Sequence, residues 1–169
     1  MSEENKAIAR RSWELFGQHN PDAFDEVYAA DVVWHTPEQE VQGLEEAKHR
    51  LSTRATALPD GTVTVEDVIA EGDKVVTRYT VRGTHQGETE DIGPPTGRQL
   101  ELEGITIHRV EDGKIVEEWN QYDNLSTLQQ LGLAPEPGEE EPGAPPAAEG
   151  EREEEKGLLD KAKERLTGQ

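Results

Sequence analysis

Asp123 and His108 are the residues whose types could carry chemistry in this chain. Asp123 sits where a strand-like segment ends and a short helix-like segment begins. A carboxylate held there in an apolar cavity would be raised from its ordinary pKa of ~3.9 and could act as a general base. The same position explains Asp123 as a helix cap, in which case the anion is stabilised and the pKa falls. His108 lies one strand earlier, and its imidazole could give or take a proton near neutral pH. A two-residue turn at Asp112-Gly113 would set Glu111 against Lys114, His108 against Glu117, Thr106 against Trp119 and Leu102 against Asp123. That register puts His108 roughly 20 Å from Asp123 at ~3.4 Å per residue, too far for a direct hydrogen bond. Either the two groups serve opposite ends of a ligand, a bulge alters the register, or His108 only pairs across the hairpin.

The same alternation gives one face with Leu102, Thr106, His108, Ile115, Trp119, Gln121 and Asp123, suited to a polar-studded cavity. The other carries Ile105, Ile107, Val116, Asn120 and Tyr122 and suits a subunit interface, so a homodimer through the outer sheet face is expected. Trp13, Trp34, His35 and Tyr79 complete the expected pocket lining: Trp13 from the first helix, Trp34 and His35 from a strand end, and Tyr79 from a central strand.

The elements that position these residues follow from hydrophobic spacing. Ile8, Ala9, Ser12, Trp13, Leu15 and Phe16 predict a helix over 5–18, and Asn20-Pro21-Asp22 opens a second short one through Tyr28. Val32 to His35 reads as a strand limited by Pro37, and a third helix runs from Leu44 to Leu58, stopped by Pro59-Asp60-Gly61. Strands are expected over 62–71, 74–85, 98–109 and 114–122, followed by a helix through Leu125, Leu128 and Leu131. Residues 86–97, with Gly87, Gly93, Pro94, Pro95 and Gly97, form a shaped loop rather than an element. The order implies an α+β domain over residues 1–133, with N-terminal helices covering a curved antiparallel sheet that leaves a cone-shaped cavity. Residues 134–169 are an acidic Pro/Gly/Glu-rich tail expected to be disordered, with a possible short helix over 154–166.

Composition narrows the function classes. The 169 residues carry 37 acidic against 17 Lys and Arg, a formal net charge of −20, which repels nucleic acid and anionic membrane surfaces. There is no cysteine, and hence no disulfide, thiolate nucleophile or thiolate metal site. The five histidines lack HxH or HExxH spacing, and the glycines form no nucleotide-binding pattern, so neither a metal nor a cofactor is expected. No segment has the ~18 consecutive apolar residues of a membrane helix, and a cytoplasmic location is the default expectation.

Gly93-Pro94-Pro95-Thr96-Gly97-Arg98, the run from Gly104 to Trp119, then Asp123 and Leu128-Gln129-Gln130-Leu131-Gly132 together resemble the SnoaL-like polyketide cyclase, or ester cyclase, family of the nuclear transport factor 2-like superfamily. The resemblance covers about Asn5 to Leu133. It implies a cone-shaped α+β barrel, cofactor-independent intramolecular aldol chemistry on a small hydrophobic metabolite, Asp123 as the acid–base group and His108 as its histidine. It also implies His35 as a polar residue at the pocket border. The scaffold equally hosts isomerases, epoxide hydrolases and non-catalytic binding proteins.

Overall fold

The computed structural model describes residues 2–89 and 92–135. The expected tail and its helix over 154–166 fall outside the described residues from 136 onward. Residues up to Ala134 form one compact unit.

Helix α1 (Ser2–Gly17) buries Ala9, Ser12, Trp13 and Leu15 on one face, as their spacing dictates. A 3₁₀ turn (Pro21–Glu26) follows, with proline at its start, and buries Phe24. Strand β1 (Tyr28–His35) begins four residues earlier than Val32 would suggest, so Tyr28 belongs to the sheet and not to a second helix. The short β2 (Glu40–Gln42), which the sequence reading lacks, pairs antiparallel with the end of β1, Trp34 opposite Val41. Helix α2 (Leu44–Ala57) buries Leu44, Ala47, Arg50, Leu51 and Ala57. Strands β3 (Thr62–Glu71), β4 (Lys74–Thr84), β5 (Gln99–Glu111) and β6 (Lys114–Tyr122) form a meander closed by helix α3 (Asn124–Gln130).

The six strands lie in the order β2-β1-β6-β5-β4-β3. Every pairing is antiparallel except β1 with β6, which is parallel, so the purely antiparallel expectation needs that correction. The cause is the long path from β1 to β6 through α2 and four further strands, a crossover that no tight hairpin constrains. This is an α+β architecture, with a curved sheet covered on its concave side by α1 and α2.

The β5–β6 hairpin decides where the chemistry points. Asp112 and Gly113 both have positive φ (48° and 77°), the turn that Asp-Gly favours, and Glu111 pairs with Lys114 as expected. The register then slips between Arg109 and Val110: Val110 pairs with Ile115, whereas Arg109 pairs with Glu117. One extra residue in β6 inverts its alternation beyond the bulge. His108 therefore faces Glu118 rather than Glu117, and Thr106 faces Asn120 rather than Trp119. Glu118, Asn120 and Tyr122 turn inward, and Trp119 turns to the outer surface.

Packing on the concave side falls into two clusters. One joins Leu15, Phe24, Tyr28, Val32, Trp34 and Leu51, and the other joins Trp13, Tyr79, Val81 and Leu102. Residues of both clusters bound the same internal space.

Candidate functional site

A cavity of about 470 Å³ opens between α1, α2 and the concave face of the sheet. That is inside the range of sites for small organic ligands. Its apolar wall includes Trp13, Phe24, Trp34, Tyr79, Val81 and Leu102. Set into this wall are a few polar groups: Glu118 and Asn120 from β6, Tyr28 from β1, Arg54 from α2, and His85 just past β4.

Glu118 is the most enclosed carboxylate of the site, only 5% exposed. Its Oε2 accepts a hydrogen bond from the Tyr28 hydroxyl at 2.9 Å and lies 3.1 Å from His108 Nε2. Both contacts fall on one oxygen. The carboxylate borders the cavity while His108 lies behind it, 1% exposed, with its Nδ1 unpartnered among the described residues. Tyr28 Oη–H is held as a donor: burial first, and then the charge of Glu118, push its pKa well above the ordinary value for a phenol.

A second group surrounds Asn120. The Tyr79 hydroxyl donates to Asn120 Oδ1 at 2.7 Å, which assigns the amide NH₂ to the other end of the side chain. The Tyr79 ring packs on Trp13 with centroids 4.1 Å apart, and Gly104 across the ladder leaves room for its hydroxyl. Burial raises the Tyr79 phenol as well. A third group begins at Arg54, which donates through Nη2 to the Tyr122 hydroxyl at 2.8 Å. Tyr122 in turn donates to Glu38, and Glu38 lies 3.9 Å from Arg50. Burial is the main reason the Tyr122 phenol is pushed up to about 12.

The expected site residues divide. Trp13, Trp34 and Tyr79 line the cavity. Thr106 is fully buried within the sheet, between Thr77 and Asn120 along the ladder, and does not border the cavity. Trp119 is a correction: it lies on the outer face, stacked on His35 with ring centroids 5.5 Å apart and Lys74 over its ring. His35 is outside for the same reason, held by Glu117 at 3.0 Å and Glu40 at 3.2 Å. Asn120 and Tyr122, assigned by the unbulged register to an outer interface, line the cavity instead.

Asp123 is the main correction. It is exposed, it borders no part of the cavity, and its Oδ1 accepts the N–H of Ser126 at 2.9 Å as the N-cap of α3. The capping alternative describes this geometry. His108 is buried beside the cavity as the alternation demands, but its carboxylate partner is Glu118.

The sequence reading missed Glu118, Tyr28, Arg54 and His85. The bulge hid Glu118, and the misplaced end of the second helix hid Tyr28. Among the described residues no group of three or more His, Cys, Asp or Glu side chains is placed to hold a metal ion, and no helix is long and apolar enough to cross a membrane.

Solved structures with the same fold place the chain among known proteins. A proposed SnoaL-like polyketide cyclase from Jannaschia sp. CCS1 is 22% identical, with a TM-score of 0.73 over 80% of this chain and 96% of that one. IdmH, a proposed polyketide cyclase from Streptomyces antibioticus, is 33% identical, with a TM-score of 0.66 over 76% of this chain and 98% of the other. A protein from Catenulispora acidiphila with a ketosteroid isomerase-like fold, bound to trimethylamine, is 19% identical, with a TM-score of 0.63 over 75% and 93%. No curated protein matches the chain by sequence. The sequence pattern of the SnoaL-like polyketide cyclases runs through residues 6–131, and on that match the chain belongs to the SnoaL-like polyketide cyclase family.

Proposed function

We propose that the chain is a cofactor-independent acid–base enzyme of the cyclase type, acting on a small, mostly apolar carbonyl compound held in the cavity, with Glu118 as its base. The observation that carries this reading is a carboxylate bordering an apolar cavity with both of its hydrogen bonds on one oxygen, Oε2. The other oxygen, Oε1, is the atom placed to take a proton.

In the proposed reaction Glu118 removes a proton from a carbon activated by a neighbouring carbonyl. The amide NH₂ of Asn120, oriented by Tyr79, donates to the enolate oxygen. The nucleophilic carbon attacks a second carbonyl of the same molecule, forming a C–C bond, and the proton on Glu118 returns to the new alkoxide, so no atom is lost or gained. A positioned base contributes ~10²–10⁴-fold, and holding both carbons together supplies the entropic part. His108 acts as a positioning residue behind the carboxylate. An isomerase on this scaffold would use the same first step and return the proton to another carbon.

The test uses 2-tetralone, a bicyclic ketone with acidic α-hydrogens, in D₂O. Wild-type protein should accelerate deuterium uptake at the carbons flanking the carbonyl, and Glu118→Gln should lower that rate at least a hundredfold while binding persists. Absence of acceleration by wild type, with binding intact, favours the second reading: a non-catalytic carrier. That reading draws support from Asp123, the carboxylate expected to act, which stands outside the cavity as a cap.

We also propose that a second copy of this chain covers the outer sheet face. Ile69, Val76, Ile107 and Trp119 pair in one row across four strands, and Ile69 and Ile105 are 66% and 48% exposed. Sedimentation should give a dimer for wild type and a monomer for Ile107→Glu. A wild-type monomer overturns this proposal.

A further inference from the structure

His85 follows the last residue of β4 and is fully buried, yet among the described residues its Nε2 has no hydrogen-bond partner. The residue is part of the cavity lining. Its other ring nitrogen is engaged: the backbone N–H of Thr96 points at Nδ1 from 3.3 Å, and Thr96 Oγ1 lies 3.2 Å away. A nitrogen that accepts a backbone N–H carries no hydrogen of its own. The neutral ring must therefore hold its proton on Nε2, and the unpartnered atom is an N–H donor.

The surrounding loop is built to keep it so. His85 N donates to Arg98 O and Gly97 N donates to His85 O, both at 2.9 Å, which doubles the chain back and brings Thr96 over the ring. Gln86 and Gly87 donate to Ala57 O at the end of α2. A Cβ on Gly87 would run into the Thr56 carbonyl, so only glycine permits that approach. Gly97 has φ 69°, the left-handed conformation its turn requires. These contacts hold the loop that sets Thr96 beside the ring, and the Thr96 N–H on Nδ1 is what selects the tautomer.

A buried donor without a partner is costly, and such groups mark places where a ligand or an ion completes the bond. The indole Nε1–H groups of Trp13 and Trp34, from the same cavity wall, are also buried and without a partner among the described residues. These three unused N–H donors favour a ligand that bears hydrogen-bond acceptors over a hydrocarbon.

We propose that His85, fixed as the Nε2–H tautomer by Thr96, is a ligand-binding donor that recognises a carbonyl oxygen at the end of the cavity opposite β6's turn. The inference rests on the cavity being a carbonyl-compound site, as in the proposed function, but it requires no turnover. His85 thereby selects substrates by acceptor position, while Glu118 performs the proton transfer.

The experiment compares 2-tetralone with tetralin, which has the same two-ring frame and no carbonyl, using the full chain labelled with ¹⁵N. Free protein should show an unprotonated Nδ1 and a protonated Nε2 for His85. Adding 2-tetralone should move the Nε2–H resonance, and tetralin should leave it in place. Wild type should bind the ketone about tenfold more tightly relative to tetralin than His85→Phe does, the discrimination expected of one neutral hydrogen bond. His85→Gln, which retains an N–H donor, should recover part of the preference. An unmoved Nε2–H resonance, the opposite tautomer, or a preference unchanged in His85→Phe overturns the proposal. If His85→Phe fails to fold, the wild-type resonances and the partial preference retained by His85→Gln decide it. Deuterium uptake without this discrimination would leave the enzyme reading standing and remove His85 from it, and discrimination without uptake would do the reverse.

Discussion

His108 and Glu118 face each other across β5 and β6 with Nε2 and Oε2 3.1 Å apart, and a one-residue bulge two positions away is what brings them opposite. The pair is almost fully enclosed, so its bond is not diluted by solvent. Replacing His108 by Phe leaves Glu118, among the described residues, with the Tyr28 hydroxyl as its one remaining donor. The expected result is a loss of about 1.5–3 kcal/mol of stability, the range for a hydrogen bond to a charged group. Deuterium exchange into 2-tetralone should fall about tenfold with a displaced pH profile, whereas the affinity for 2-tetralone should hold. Chemical denaturation and the pH–rate curve together check this: a stability loss with an unmoved profile would make His108 purely structural.

Asp123 yields the opposite expectation. Its carboxylate holds the Ser126 amide and faces solvent, so Asp123→Ala should cost about 1 kcal/mol through the lost cap. Exchange activity should stay within twofold of wild type. Asp123→Asn should be nearly silent on both counts, because asparagine caps as well as aspartate. A hundredfold drop in exchange for Asp123→Asn would restore the residue as the base and remove Glu118 from that role.

The contrast between these two carboxylates shows what was legible in the sequence. β3 and β6, and the start of α2, follow from alternation and from Pro/Gly punctuation, because those signals are local. The Asp112-Gly113 turn fixes the Glu111–Lys114 pairing equally locally. The bulge beyond it has no such marker: Val116 is an ordinary strand residue, and the extra residue shows only as a slip against the partner strand. That slip exchanged Trp119 for Glu118 and Gln121 for Asn120 at the cavity wall, so the fold was readable while half the site was inverted. The parallel β1–β6 pairing was hidden because it depends on contacts far apart in the chain, and β2 because its three residues are too few to show an alternation. His85 was visible as a residue before a loop, but its tautomer depends on Thr96 returning over the ring.

Gly104 faces Tyr79 across the β4–β5 ladder, and a methyl group there would overlap the phenol oxygen and Cζ. Tyr79 has little room to retreat, since Trp13 lies against its ring. Gly104→Ala should therefore destabilise the protein by about 1–3 kcal/mol, the cost of overpacking, in spite of alanine's smaller entropic penalty in a strand. It should also release Asn120 from Tyr79 and weaken exchange catalysis. Tyr79→Phe in the Gly104→Ala background should recover part of the stability, because the oxygen is the atom in conflict. Thermal unfolding of the single and double variants measures this, and strict additivity would refute the proposed clash.

The chain's three tyrosines, Tyr28, Tyr79 and Tyr122, all line the cavity, and burial raises each phenol above its ordinary value. A raised folded pKa means that the protonated, native form is favoured. The stability this represents is fully present below the unfolded value of ~10 and is lost as pH rises through the folded values, about 12 for Tyr122. Between those limits Tyr28 and Tyr79 should each lower the unfolding free energy by about 1.4 kcal/mol per pH unit. Spectrophotometric titration should show little phenolate at pH 10 and a steep, cooperative rise above it that coincides with loss of the far-ultraviolet circular dichroism signal. Tyr79→Phe should flatten the alkaline stability slope by one such increment. Reversible ionisation of all three phenols near pH 10 in folded protein would show that the cavity admits bulk water freely, and the dry environment proposed for Glu118 and His85 would fall with it.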